Sequence, residues 1–582
     1  MQYVNLKING IEVKAPKGST ILEAARYAGI KIPTLCYLKE INEIGACRVC
    51  IVELGNGRIV TSCVYPAEEG MEVFTSTPKV LEYRKKTVEL LLSNHNRSCL
   101  SCVMSGKCEL QSLAKELGVE DESLYDGVKT PSEIDDSAPH MYRDNSKCIL
   151  CRRCVAACEA YQSVSVIGAN NRGFNTSIGS AFEMGLNDTA CINCGQCIAA
   201  CPTGALSEKD DTQKVFDALA DKTKHVVVQT APAVRAALGE EFDYPMGTDV
   251  EGQMVAALRR LGFDAVFDTD FAADLTIVEE ANELIERVQG GGALPMITSC
   301  SPGWVRFCET YFPEMIPNLS SCKSPQTMQG AIIKSYYAKK KKVKPENIIV
   351  VSVMPCTAKK FEITRPDECG TGYPDVDIVI TTRELARMIK KVGLNFKALP
   401  KEQFDSPLGE STGAAVIFGA TGGVMEAALR TAAEWITGKK IKALDFKEVR
   451  GTTGIKEASY KLGKLEVKVA VASGLANARK LLEMVRSGEK DYTFIEVMAC
   501  PGGCVNGGGQ PRVPAEVRNT VDVAKVRAKA LYKNDAAKQL RQSHKNPEII
   551  KLYEDFLGSY GSKKAHKLLH TSYEARNINR TK

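Results

Sequence analysis

No apolar run in these 582 residues approaches the roughly 20 needed to span a bilayer. The opening MQYVNLKING lacks a basic segment followed by an apolar one, so no secretory signal is read there. The expectation is a cytoplasmic protein with no membrane partner. A large excess of one charge is also missing, the formal net charge being +6. Nucleic acid is therefore not an expected partner, because its binders present a strongly basic face. The Gly-rich stretch GATGGVMEAALR (419–430) lacks both the G-x-x-x-x-G-K-[ST] and the G-x-G-x-x-G patterns. It predicts close packing around a buried site, and no nucleotide site is expected on this chain.

Cysteine, by contrast, is abundant: 22 residues, most of them before position 202. In a large chain without a secretory signal, such thiols read as metal ligands or catalysts rather than disulfides. Clustered thiolates suit soft metals, meaning zinc or iron–sulfur clusters. The length predicts several domains.

Residues 1–78 read as a β-hairpin with its turn at Asn9-Gly10, then a helix capped by Ser19 or Thr20. Cys36, Cys47, Cys50 and Cys63 follow, spaced somewhat like a plant-type ferredoxin. A structural zinc usually shows two tight Cys pairs; only one is present, so a [2Fe–2S] cluster is favoured. Residues 79–118 carry His95, Cys99, Cys102 and Cys108. Alone that set would fit zinc, but cluster motifs flank it on both sides, which favours a [4Fe–4S] cluster with one His ligand.

Residues 138–209 hold an internal repeat. Cys148-x2-Cys151-x2-Cys154-x3-Cys158 recurs as Cys191-x2-Cys194-x2-Cys197-x3-Cys201. In this two-cluster spacing the fourth Cys of each run serves the other cluster. One cubane takes Cys148, Cys151, Cys154 and Cys201, and the other takes Cys191, Cys194, Cys197 and Cys158.

From 210 to 512 the texture changes. Apolar runs such as HVVVQTAP, IIVVSVMPC and FIEVMACPGGC alternate with helical stretches. Buried parallel strands look like this, so the fold class is an α/β catalytic domain with parallel sheets, preceded by α+β ferredoxin-like iron–sulfur domains. Ligands gather at the carboxyl ends of such strands, where Cys300, Cys356, Cys500 and Cys504 lie. Cys308, Cys322 and Cys369 are read as ordinary small residues. Residues 513–582 read as helical and polar, ending in a flexible TSYEARNINRTK.

Three loops carry a family resemblance: TSCSPGW (298–304), MPCTAKKFE (354–362) and EVMACPGGCVNGGGQP (496–511). They resemble the signature loops of [FeFe]-hydrogenases, and the likeness extends over nearly the whole chain. Large clostridial-type single-chain enzymes and the catalytic subunits of multi-subunit NAD(P)-linked hydrogenases are both similar. The N-terminal half also resembles the large iron–sulfur subunit of complex I, which lacks the three loops.

The resemblance implies reversible H2 ⇌ 2 H+ + 2 e− at an H-cluster, a [4Fe–4S] cubane joined to a two-iron centre bearing CO, cyanide and azadithiolate. By motif position, Cys356, Cys500 and Cys504 would ligate the cubane, Cys504 also bridging to the two irons. Lys359 would contact a cyanide, and Met354, Met498, Ala231 and Pro232 would line the pocket. Protons would travel through Glu283, Ser320, Glu280 and Cys300. The family usually has two adjacent cysteines in its first loop, a proton donor and then a cubane ligand; here the ligand position holds Ser301. Ser301 is expected to face the cubane, with Cys300 remaining the donor. Ferredoxin and flavin- or NAD(P)-binding subunits, as in an electron-bifurcating complex, are the implied partners. A non-catalytic electron-transfer or cluster-assembly relative is the alternative, and Cys300, Lys359 and Glu280 argue against it.

Overall fold

The computed structural model describes residues 2–576 apart from 131, 442 and 464. Near the N-terminus a five-stranded sheet runs in the order Ile11–Pro16, Tyr3–Ile8, Glu72–Phe74, Ile51–Leu54, Ile59–Thr61. The first two strands are the expected hairpin, and Asn9 turns it with φ near 53°. Thr20, not Ser19, caps the helix Ile21–Tyr27, in a reciprocal box with Glu23 that satisfies two amide donors at once.

The internal repeat folds twice in one way. The residue just before the second cysteine is left-handed in both copies, Leu150 and Asn193, and so is the residue after it, Arg152 and Gly195. Non-glycine residues there cost ~1–2 kcal/mol each. The turn delivers the third cysteine at the start of a short helix, Arg153–Ala156 or Gln196–Ala200.

Beyond residue 224 two sheets share a central helix. One is wholly parallel, in the order Ala265–Asp268, His225–Thr230, Ile348–Met354, Ile378–Thr381. In the other, Met296–Ile297, Phe494–Met498 and Leu465–Ser473 are parallel, and Ile455–Leu462 closes it as an antiparallel hairpin partner. The helix Thr269–Gly290 is buried all round from Thr269 to Ala281, as a helix packed on every side must be. Among the described residues no helix is long and apolar enough to cross a membrane.

The last segment departs from expectation. Helices Val523–Ala537, Pro547–Leu552 and Lys563–Leu569 pack into the catalytic core through Leu531, Ile549, Leu552 and Leu569. The stretch expected to be flexible is held as far as it is described. Arg576 Nε donates to Glu309 Oε2 at 2.6 Å, the Thr571 amide donates to the Ser321 carbonyl at 2.8 Å, and Tyr573 Oη donates to the Cys322 carbonyl at 3.3 Å. Residues 577–582 lie outside the described residues.

Candidate active site and its cluster relay

Four strand ends converge on one cavity. Ala231 and Pro232 follow His225–Thr230, Cys356 follows Ile348–Met354, Cys300 and Ser301 follow Met296–Ile297, and Cys500 follows Phe494–Met498. Cys504, Lys359, Met354 and Met498 line the same space, joined by Thr269, Gln326 and Phe418, which sequence reading did not select. The two methionines are buried and make an apolar wall.

Cys356 and Cys500 touch through their side chains, and Cys504 lies beside Cys356. Burial pushes the Cys504 thiol up to about 12. The contact with Cys500 lowers Cys356 and raises Cys500, so the pair shares a proton that a metal would displace. The donor set, three converging thiols lining an apolar cavity, fits an iron–sulfur cluster. Cys300 and Ser301 diverge. Ser301 Oγ accepts from the Ala499 amide at 3.3 Å, next to Cys500. Cys300 faces Glu280, and burial holds its thiol well above the usual range.

Lys359 is paired rather than free. Its Nζ donates to Glu362 at 3.0 Å and to the Cys300 carbonyl at 3.1 Å. Ser324 and Gln326 donate to the same carboxylate at 2.9 and 2.8 Å, so Glu362 fixes the lysine's reach.

Outward from Cys300 runs a line of polar groups. Glu280 is fully buried, and burial, then the Glu283 charge, raises its carboxyl to about 8. Neither of its oxygens has a hydrogen-bond partner among the described residues. Ser320 approaches Glu280 and donates from Oγ to Glu283 Oε2 at 3.2 Å. Glu283 is half-buried and bonded by Arg287 Nη2 at 2.6 Å. Arg287 was not singled out from sequence, although its place four residues after Glu283 on a helix gave the signal.

The Gly-rich stretch 419–430 proves to be an anion cradle, filled from within. The amides of Gly422 and Met425 both donate at 2.7 Å to the buried Glu496 carboxylate, at the start of helix Gly423–Thr437. A helix N-terminus favours such a charge. Glu496 begins the third signature loop and was not singled out from sequence.

The accessory cysteines assemble into sets. Cys50 Sγ lies 3.2 Å from Cys63 Sγ, and Cys36 reaches both Cys47 and Cys63. Cys102 neighbours Cys99 and Cys108, and buried His95 keeps an unpartnered Nδ1, a donor left over for a metal. Cys154 faces Cys148, Cys151 and Cys201. Cys197 faces Cys191 and Cys158, and Cys194 faces the same three. Cys201 thus lies near the first run and Cys158 near the second, while Cys154 and Cys197 also neighbour each other. Cys194 also neighbours Cys500. Gly508 makes that approach feasible, since a Cβ there would stand 2.2 Å from the Cys194 carbonyl oxygen. Cys308 is buried in an apolar cluster, Cys369 is exposed, and Cys322 is buried beside Glu283.

These observations define an iron–sulfur oxidoreductase, with thiol sets leading to one buried cavity and a titratable line leaving it. Comparisons with known proteins make the class specific. The description "Iron only hydrogenase large subunit, C-terminal domain" matches residues 224–508, and "Iron hydrogenase small subunit" matches 521–576. A 2Fe-2S cluster binding domain matches 1–78, an NADH-ubiquinone oxidoreductase-G iron-sulfur binding region 84–123, and a 4Fe-4S dicluster domain 139–205. NADP-reducing hydrogenase subunit HndD of Solidesulfovibrio fructosivorans is 51% identical, over 98% of this chain and 99% of its own. Iron hydrogenase 1 of Clostridium pasteurianum is 43% identical, over 97% and 99%. A solved apo [FeFe]-hydrogenase HydA1 from Chlamydomonas reinhardtii, a cysteine-to-histidine variant, superposes with a TM-score of 0.56 at 44% identity, over 63% of this chain and 99% of that one.

The chain belongs to the iron-only, or [FeFe], hydrogenase family. It is an enzyme of hydrogen turnover that uses 2Fe-2S and 4Fe-4S clusters together with an H-cluster, and the non-catalytic alternative falls away. The C-terminal segment, read from sequence only as polar helices, is its small-subunit portion.

Proposed function

We propose that this chain is the hydrogen-turnover subunit of a multi-subunit, NADP-linked cytoplasmic enzyme, exchanging electrons with a flavin-bearing partner and with ferredoxin. The observation that carries this is its 51% identity, end to end, to a protein named as a subunit of an NADP-reducing hydrogenase. The match of residues 84–123 to an iron–sulfur region of NADH-ubiquinone oxidoreductase adds support.

Five units divide the labour, at 1–78, 79–118, 138–209, 210–512 and 513–582. The first three hold one [2Fe–2S] and three [4Fe–4S] clusters and pass electrons inward to Cys194. Cys356, Cys500, Cys504 and Ser301 hold the catalytic cubane. When bound, the H-cluster supplies the interconversion of H2 with protons and electrons. Glu283 receives a proton from outside, Ser320 relays it, Glu280 carries it through the buried stretch, and Cys300 delivers it to the cavity. Lys359, held by Glu362, presents a fixed cation to the cavity, while Met354 and Met498 exclude water.

The test is reconstitution. Matured protein should contain about 20 irons per chain by this ligand count and evolve H2 from a reduced viologen. It should reduce NADP+ with H2 only when a flavin-bearing subunit is added. NADP+ reduction by the isolated chain, or an iron content near half that value, would overturn the assignment.

A further inference from the structure

One Cys–His–Glu cluster belongs to none of the iron–sulfur sets. Glu283 on the helix Thr269–Gly290, Cys322 and His570 each offer a ligand atom, and these atoms lie within 4.8 Å of one another. A backbone bridge between Cys322 and His570 holds two of them side by side. Cys322 is fully buried, with Sγ 3.9 Å from Glu283 Oε2.

The imidazole is already oriented. His570 Nε2 lies 3.2 Å from Glu279 Oε2, and that carboxylate is itself fixed by the Tyr553 hydroxyl and by the Gly561 amide at 3.1 Å. A carboxylate at Nε2 places the ring proton there and leaves the lone pair on Nδ1, which accepts only the rotatable Ser321 hydroxyl at 2.8 Å. Metal-ligating histidines are commonly fixed by a carboxylate in this way. Three carboxylates, Glu279, Glu280 and Glu283, surround Cys322, and Arg287 is bonded to Glu283. Glu283 keeps about 14% of its side chain exposed, so the pocket opens to water.

We propose that Glu283, Cys322 and His570 form a site for a borderline-soft divalent cation, zinc being the best match, and that filling it closes the proton entrance. One thiolate, one imidazole and one carboxylate are a zinc donor set, with a fourth position for water or the Ser321 hydroxyl. Binding breaks the Cys322 S–H bond, forms a metal–sulfur bond and releases one proton to solvent; no electrons move. The closure rests on the relay reading, because a Glu283 carboxylate bound to a dication no longer accepts protons from outside.

The test uses the full chain with all clusters loaded, exposed to zinc and then desalted. One zinc per chain should remain, and X-ray absorption at the zinc edge should show a single sulfur among nitrogen and oxygen ligands. Zinc lodged in a vacated cluster site would show three or four sulfurs. Viologen-driven H2 evolution should fall about tenfold or more on zinc saturation. In Cys322→Ser and His570→Gln, each compared with its own zinc-free rate, the half-inhibiting zinc concentration should rise about tenfold or more. Iron content checks that both variants fold and load. Loss of all zinc on desalting, a sulfur-rich shell, or unchanged zinc sensitivity in both variants would overturn the site. Zinc bound in the expected shell with undiminished turnover would uphold the site and overturn the relay through Glu283.

Discussion

On the proposed reading, the catalytic cavity has two entrances built on opposite principles. On the electron side the chain removes matter: Gly508 lets the third signature loop lie against the Cys194 carbonyl, and Thr357 Oγ1 donates to the Asn193 carbonyl at 2.8 Å to pin the contact. On the proton side the chain adds functional groups, setting Glu283, Ser320, Glu280 and Cys300 between surface and cavity. Electrons need closeness and no chemistry at the gap. Protons need a group that can accept and donate one at every step, a hydroxyl or a titratable side chain, even where burial raises a carboxyl to about 8.

The comparison can be broken at several points. The largest effect is expected from Glu280→Gln, which keeps shape but removes the proton carrier. Turnover should drop by ~100-fold or more, and H2/D2O exchange, which needs protons but no external electrons, should drop with it. In the wild type Glu280 is protonated below about pH 8, so H2 evolution should decline as pH rises through that value. Near-normal exchange in the variant would remove Glu280 from the relay.

Gly508→Ala attacks the other entrance. The added Cβ must displace the Cys194 loop, costing about 1–3 kcal/mol in over-packing. H2 oxidation with ferredoxin should slow while H2/D2O exchange persists. Equal loss of both would show that Gly508 supports the cavity rather than the electron contact.

Ser301→Cys should change less. Thiolate in place of a hydroxyl suits cubane iron better, so the cubane potential should shift while turnover stays within about threefold of wild type. An unchanged potential would mean that residue 301 does not face the cubane. The smallest effect belongs to Thr20→Ala, which removes a helix cap far from either entrance. It should cost ~1 kcal/mol in the melting of the N-terminal domain and leave exchange untouched.

How much of this was legible follows from how local each feature is. Cys148 to Cys158 and Cys191 to Cys201 carry their spacing within eleven residues each, and the crossed grouping of Cys201 and Cys158 came with the repeat. The strand ends bearing Cys300, Cys356 and Cys500 were readable because apolar runs precede them. Contacts between distant segments were not. Nothing in the sequence joins Glu496 to the amides of Gly422 and Met425, or Gly508 to Cys194, because such pairs exist only after the sheets and the ferredoxin-like repeat have packed together. Tyr573 and Arg576 looked like a polar tail for the same reason. Their partners, Cys322 and Glu309, lie more than 200 residues away.

The central claim is that the adjacent residues Cys300 and Ser301 serve different entrances, the first protons and the second the cubane. It is tested most directly by infrared spectroscopy of matured Cys300→Ala beside its turnover. The account predicts intact carbonyl and cyanide bands with H2 evolution lost. Missing bands and an unassembled cubane would show Cys300 to be a cluster ligand, and the proton line would have to end elsewhere.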